Sequence, residues 1–302
     1  MSTIRKKRAL VLSGGGNRGA YEVGVLKHLI IDKGYRYDAI IGVSAGALNA
    51  TFLGNYNIAD QAKGVRDLEL MWLDIQQKNV YKPWFNSYTL SFLSALFGIK
   101  ESFLNTEPLS KFIDEHYFNV SNSNVDVIVG VTRLHDGKFE LVNKTEPKFK
   151  DFVLASASIP MIFPSKIINN VQYVDGGIRE NTPLKDVIND NQYEYVDVVI
   201  LVPTEENFKY EKKKLHNIYQ IGYRTVNILA HKVLYSEVNS INTKHMIEVM
   251  HECHAQINLF APKVNLMSGK GVLQILSFNK KNTKKIIEMG YLNTVDYFQS
   301  KK

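Results

Sequence analysis

The sequence has a single cysteine, Cys253, in 302 residues. That excludes an intramolecular disulfide and any all-cysteine metal site, and it fits a reducing compartment better than a secreted small scaffold. Long apolar runs are also missing, since no stretch approaches the roughly 18 residues that a membrane span needs. The basic group Arg5, Lys6, Lys7 and Arg8 leads only into Ala9-Leu10-Val11-Leu12. That run is too short for the apolar segment of a signal sequence, so a cytoplasmic protein is expected. There is no internal repeat, no low-complexity linker and no clean second domain. Disorder is excluded by composition, because 45% of the residues are hydrophobic and 22% charged. What the chain does have is a basic excess: 37 Lys and Arg minus 30 Asp and Glu gives +7. Solvent, anionic lipid headgroups and nucleic acid are the candidate partners of that charge.

The first fifty residues alternate apolar runs with helical spacing, the pattern of an α/β protein with a parallel sheet. A strand over 8–13 is followed by a helix with Ala20, Val23, Leu26 and Ile30 on one face, ending near Gly34. A second strand covers 38–43, and the crossover makes a βαβ unit. Residues 57–117 read as a mostly helical insertion, with Val65, Leu68, Met71, Trp72 and Ile75 on one face. Within it, residues 80–103 crowd seven aromatic rings around three charges, Lys82, Lys100 and Glu101. Burial in the core is the first expectation for this segment, and a lid or membrane-facing patch the second. Strands at 125–131 and 138–142 flank the hairpin turn His135-Asp136-Gly137. A short helix near 152–156 and strands at 172–174 and 196–202 follow. The charged run 209–214 reads as a solvated helix start, and helices are expected at 215–239 and 284–289.

Three short motifs carry chemistry. Gly42-Val43-Ser44-Ala45-Gly46 fits GxSxG, directly after an apolar strand and before a helix, where Gly42 and Gly46 would let Ser44 expose a nucleophilic hydroxyl at a sharp corner. Gly14-Gly15-Gly16-Asn17-Arg18-Gly19 follows the first strand. As a P-loop it fails, because Ala20-Tyr21 stands where Lys and Ser or Thr belong. As a dinucleotide fingerprint it fits, with Asp38 at the right distance but at the wrong end of its strand. As an oxyanion hole, the Gly15 and Gly16 N–H groups would lie beside Ser44 on one edge of the sheet. A serine needs a base. None of the eight histidines stands at a strand end with glycine or proline punctuation. His251, Cys253 and His254 lack a second ligand cluster, so no metal is expected. Asp175, in Val174-Asp175-Gly176-Gly177, can face Ser44 from a strand end, where desolvation would raise its pKa into a basic range. A simple turn is the other reading of that motif.

In order and spacing these motifs resemble the patatin-like phospholipases, serine acyl hydrolases that use a Ser–Asp dyad. The stretch from Ala155 to Pro160, then Phe163-Pro164, Tyr173 to Gly177, and Asn181-Thr182-Pro183, is similar to the family's second block. The ending from Phe278 through Ile286 to Gly290-Tyr291 is similar to the tail of bacterial members. The resemblance implies a three-layer α/β/α fold with a mostly parallel central sheet and a helical insertion and tail. It divides the chain into a catalytic domain over 1–204 and a mainly helical extension over 205–302 packed on the same domain. It implies Ser44 as nucleophile, Asp175 with Gly176 and Gly177 as the acid motif, and Gly14 to Gly19 as the oxyanion loop. Arg18 would hold that loop or a lipid phosphate. It further implies a phospholipid or other acyl-ester substrate, no cofactor, no catalytic histidine and no calcium. Contact with anionic membranes is expected and nucleic acid is not. An α/β-hydrolase with a histidine-containing triad, a nucleotide-binding module and an inactive membrane-binding scaffold are the alternatives.

Overall fold

Apolar strands that read as unbroken hydrophobic runs form the centre of the structure, a computed structural model that describes residues 6–117, 119–189, 192–202, 255–264, 266 and 275–301. The first half contains β1 (Arg8–Leu12), α1 (Ala20–Leu26), β2 (Ala39–Val43) and α2 (Ala45–Leu53). α1 continues as a wider π-type turn over Lys27–Asp32. The insertion contributes α3 (Gln61–Asp74), α4 (Gln77–Val80), α5 (Tyr88–Leu96) and α6 (Glu107–His116), with a small ribbon of β3 (Lys82–Pro83) and β4 (Leu104–Asn105). Then come β5 (Asp126–Arg133), β6 (Phe139–Asn143), α7 (Phe149–Ser156), β7 (Lys166–Ile168) and β8 (Val171–Asp175). α8 (Leu184–Asn189), β9 (Tyr195–Val199), β10 (Gln256–Phe260) and α9 (Lys280–Ser300) complete the described elements.

The main sheet runs β10-β9-β1-β2-β5-β8-β7, with β6 also paired to β5. The strands from β10 to β5 are mutually parallel, whereas β6 and β8 run antiparallel to β5. Alternation along the strands sends side chains to two separate cores. Leu10, Leu12 and Ile40 pack with α1, α2, α3 and α9 on one face, and Ala9, Val11, Ala39 and Ile41 pack with α8 on the other. Helices on both faces of a mostly parallel sheet make the architecture α/β. α9 lies against α1 at close range, where a Cβ on Gly24 would fall against the Ile287 carbonyl and one on Gly290 against the Tyr21 carbonyl. Glycine at both positions is what lets the two backbones meet.

Three expectations change. The tail is not only helical, because Gln256–Phe260 adds a parallel strand beside β9, pinned by Asn258 Nδ2 donating to the buried Asp197 at 2.8 Å. The last helix covers Lys280–Ser300, well beyond 284–289, starting where the Asn279 side chain accepts from the Lys281 and Asn282 N–H groups. The aromatic segment is only partly core: Tyr81 is buried, but Phe85, Tyr88, Phe97 and Phe103 are exposed. The run 209–214 and the helix expected at 215–239 lie outside the described residues.

Candidate active site

The site is assembled by β5, whose eight residues are long enough to hold two strands on one edge. β2 pairs with its first half, ending with Val43 opposite Gly130, and β8 pairs with its end, placing Asp175 opposite Val131. Because β6 occupies the other edge at both Gly130 and Val131, β2 and β8 meet tip to tip on the same side. The residue after Val43 is Ser44 and the last residue of β8 is Asp175. Two motifs 131 positions apart thus become neighbours.

Ser44 has φ 55° and ψ −121°, a left-handed conformation unusual for a residue with a side chain. Such strain costs about 1–3 kcal/mol and persists only where the surroundings hold it. The holding contacts are backbone to backbone. A Cβ on Gly42 would fall against the Gly46 carbonyl oxygen, and one on Gly46 against that of Leu12. Ser156 adds a clamp from α7: its hydroxyl accepts the Ser44 N–H at 2.9 Å and donates to the Gly130 carbonyl at 2.7 Å. α2 starts immediately after Ser44, so the nucleophile candidate stands at a helix N-terminus.

Asp175 is buried beside Ser44, and its carboxylate accepts the Gly177 N–H at 2.8 Å. Burial raises its pKa from 3.8 to about 6, against the lowering effect of the neighbouring Ser44 hydroxyl and of the Gly177 N–H. Its own N–H donates to the Ser158 carbonyl at 3.0 Å. Gly176 passes close under β5, where a Cβ would fall 2.5 Å from the Gly130 carbonyl oxygen.

The glycine loop flanks Ser44 on the β1 side. A Cβ on Gly14 would sit 2.9 Å from the Ser44 Cβ, and Asn181 Nδ2 donates to the Gly14 carbonyl at 3.2 Å. Gly16–Gly19 form a 3-10 turn that runs into α1, which leaves the first N–H groups without intrahelical acceptors. Arg18 turns back on the loop, its Nε donating to the Gly15 carbonyl at 3.1 Å, and Asn17 Nδ2 donates to the Ser277 carbonyl at 2.8 Å. Asp38 lies at the opposite end of the sheet, with its carboxylate accepting the Arg8 N–H at 2.8 Å.

A narrow cavity of about 50 Å³ opens at Ser44. Its wall is apolar: Leu48, Met71, Trp72, Leu109, Phe112, Ile159, Phe163 and Phe278 contribute, and Ser44 is part of the lining. The family described as patatin-like phospholipase matches residues 10–188, a span that contains the glycine loop, Ser44 and Asp175. The chain belongs to that family. Among its relatives is the probable lipid hydrolase 463L of Invertebrate iridescent virus 6, 27% identical over an alignment 242 residues long that covers 74% of this chain and 77% of that protein. Similar solved structures include VipD from Legionella pneumophila, with TM-score 0.45 and 12% identity over 99% of this chain and 68% of that one. The type III effector ExoU gives TM-score 0.41 and 13% identity over 98% of this chain and 53% of its own.

In this patatin-like chain the described histidines are engaged elsewhere. His28 Nδ1 pairs with Asp32 at 3.0 Å, His116 stacks on Phe112 at 4.0 Å, and His135 sits beside Asp136 in the hairpin turn. His216, His231, His245, His251, Cys253 and His254 lie outside the described residues. Sequence reasoning assigned no role to three residues that hold the site. Ser156 clamps the elbow, and Asn181 ties the acid loop to the glycine loop. Asn49, in the cavity wall, donates to the Gly19 carbonyl at 3.0 Å and to Glu22 at 2.7 Å while accepting from Trp72 Nε1 at 2.7 Å. Ser156 and Asn181 fall inside blocks already noted as family-like, but their roles depend on partners 112 and 167 residues away.

Proposed function

We propose that this chain is a serine acyl hydrolase of the phospholipase A type that cleaves fatty-acyl esters of membrane lipids through a Ser44–Asp175 dyad. The observation that carries the reading is Ser44 and the buried Asp175 brought together at the adjoining tips of β2 and β8, with Ser44 lining an apolar cavity. The acyl chain enters along that apolar wall, the cavity widening to take it. Ser44 Oγ attacks the ester carbonyl while Asp175 takes the hydroxyl proton, which a pKa of about 6 permits near neutral pH. The Gly15 and Gly16 N–H groups stabilise the oxyanion. Collapse expels the alcohol, which receives the proton from Asp175. Water, deprotonated by the same carboxylate, then releases the fatty acid. Arg18 acts on the loop through the Gly15 carbonyl. The +7 charge adds attraction to anionic membranes, on the order of 1 kcal/mol per basic residue at the surface.

The test is fluorophosphonate labelling read by intact mass, with fatty-acid release from phospholipids measured in parallel. The wild type should take one label, and Ser44→Ala and Asp175→Asn none. Continued hydrolysis by folded Ser44→Ala would overturn the assignment. The nucleotide-binding alternative is disfavoured by Asp38, whose carboxylate is committed to the Arg8 N–H at the far end of the sheet.

A further inference from the structure

α5 is built inside out. Its serines face the protein, with Ser91 1% and Ser94 5% exposed, while Leu90, Leu93, Leu96 and the following Phe97 face outward at 52%, 39%, 65% and 74%. Their spacing of three and four residues makes these one continuous helix face. The inward hydroxyls are satisfied locally: Ser91 Oγ is within 3.0 Å of the Trp84 and Ser87 carbonyls, and Ser94 Oγ donates to the Ser91 carbonyl at 2.9 Å. Water is the wrong solvent for that outer face, because each exposed Leu or Phe forgoes the gain of burial. Nine residues, about 14 Å of helix, are far too short to cross a bilayer but suit a helix lying in its interface.

From this arrangement we infer that α5 and the turn after it insert into the lipid bilayer surface and set the cavity mouth against it. The claim rests on the acyl-hydrolase reading for its purpose, though not for its test. Two observations favour a lipid surface over a second protein chain. Lys100, three residues after Phe97, places its ammonium 4.4 Å from the Trp84 ring, the aromatic and cationic pairing suited to headgroup depth. The segment is also continuous with the cavity: the Phe103 and Leu104 N–H groups donate to the Met161 and Ile162 carbonyls at 2.9 Å, and the flanking Ile159 and Phe163 line the cavity wall. A lipid whose headgroup stays at the interface then has a short path for its acyl chain into the protein.

The test uses the full chain. Binding is measured by co-sedimentation of Ser44→Ala protein with phosphatidylcholine vesicles, with and without phosphatidylserine, so that the readout does not depend on turnover. The double variant Leu93→Glu with Phe97→Glu, both at exposed positions, should lose vesicle partitioning by at least about tenfold in both lipid mixtures. In the Ser44 form the same pair should lower hydrolysis of vesicle phospholipid to a similar extent, leaving the rate on a water-soluble short-chain ester and the melting temperature unchanged. Equal partitioning of the two proteins would overturn the inference. So would a wild-type face that mediates self-association, seen as a dimer-to-monomer shift in the double variant with no vesicle binding in either protein. If the Ser44 assignment itself fails, ester hydrolysis is absent or independent of Ser44 while the binding difference persists.

Discussion

Replacing Asp175 with Asn should make the protein more stable at neutral pH while removing its proposed activity. The carboxyl's pKa is 3.8 when unperturbed and about 6 in the fold. A raised folded-state pKa means that the native protein holds this proton more tightly than the unfolded chain does. The group's stabilising effect is therefore complete below pH 3.8, and is lost progressively as pH rises to 6. The difference, 6 minus 3.8, corresponds to about 3 kcal/mol of native-state destabilisation once both states are ionised. The carboxamide of Asp175→Asn would stay neutral at every pH and keep an oxygen for the Gly177 N–H. Unfolding entropy of roughly 2.1 cal/mol/K per residue over 302 residues gives about 0.6 kcal/mol/K, so 3 kcal/mol corresponds to roughly 5 °C. The assay is thermal unfolding of wild type and Asp175→Asn from pH 4 to pH 8. The variant should gain up to about 5 °C at pH 8 and nothing at pH 4, since other titrating groups, the buried Glu22 among them, are common to both proteins. A difference that stays flat with pH, or a variant less stable at pH 8, would refute the reasoning.

Activity should follow the opposite course, with kcat/KM of the wild type falling about tenfold for each pH unit below 6 as Asp175 protonates, and a profile flat down to pH 5 would exclude it as the base. Ser156→Ala leaves the Ser44 N–H and the Gly130 carbonyl without their shared partner, at about 1–3 kcal/mol for each buried orphan. It should lower the melting temperature by a few degrees and slow fluorophosphonate labelling by about tenfold, whereas a lower melting temperature with unchanged labelling would reduce Ser156 to a packing role. Gly46→Ala would set a methyl against the Leu12 carbonyl and should not yield a folded, labelled protein; a soluble variant labelled at the wild-type rate would contradict the close approach. Glu22 is fully buried and its carboxyl is pushed well above the usual range by desolvation. Glu22→Gln should therefore change stability at pH 7 by less than about 1 kcal/mol, and a loss of several would show that the charged form is needed.

How much of this was legible depended on whether the information was local. β1 and β2 are buried on both faces, so they appear in the sequence as Ala9-Leu10-Val11-Leu12 and Ala39-Ile40-Ile41, each ending at a glycine-rich turn. Strand, crossover and turn are consecutive there, and the βαβ unit with its two loops could be read directly. β10 could not, since its identity as a strand depends on the β9 edge it pairs with and on Asp197, 61 residues from its partner Asn258. Asp175 was readable as a candidate because a carboxylate at a strand end is a local pattern. Its contact with Ser44 was not, because that requires β8 to run against β2 along the same edge of β5. The length of β5 decides it, with five residues taken up by β2 and the last three left for β8.

α5 shows the same principle with the sign reversed. Periodicity identifies a helix and its two faces, but the inference that the apolar face points inward assumes water outside. In α5 the serines are the inner face, so residues 80–103 are core only in part: Val80 and Tyr81 are buried, while Phe85, Leu90, Leu93, Leu96 and Phe97 face outward. An outward apolar face, an apolar cavity and a serine held next to a buried carboxylate are the combination that the proposed function asks of a catalyst whose substrate waits in a lipid surface. Under the proposed function, fold, site and surface answer to one constraint: an acyl chain must leave a bilayer and reach Ser44 without crossing water.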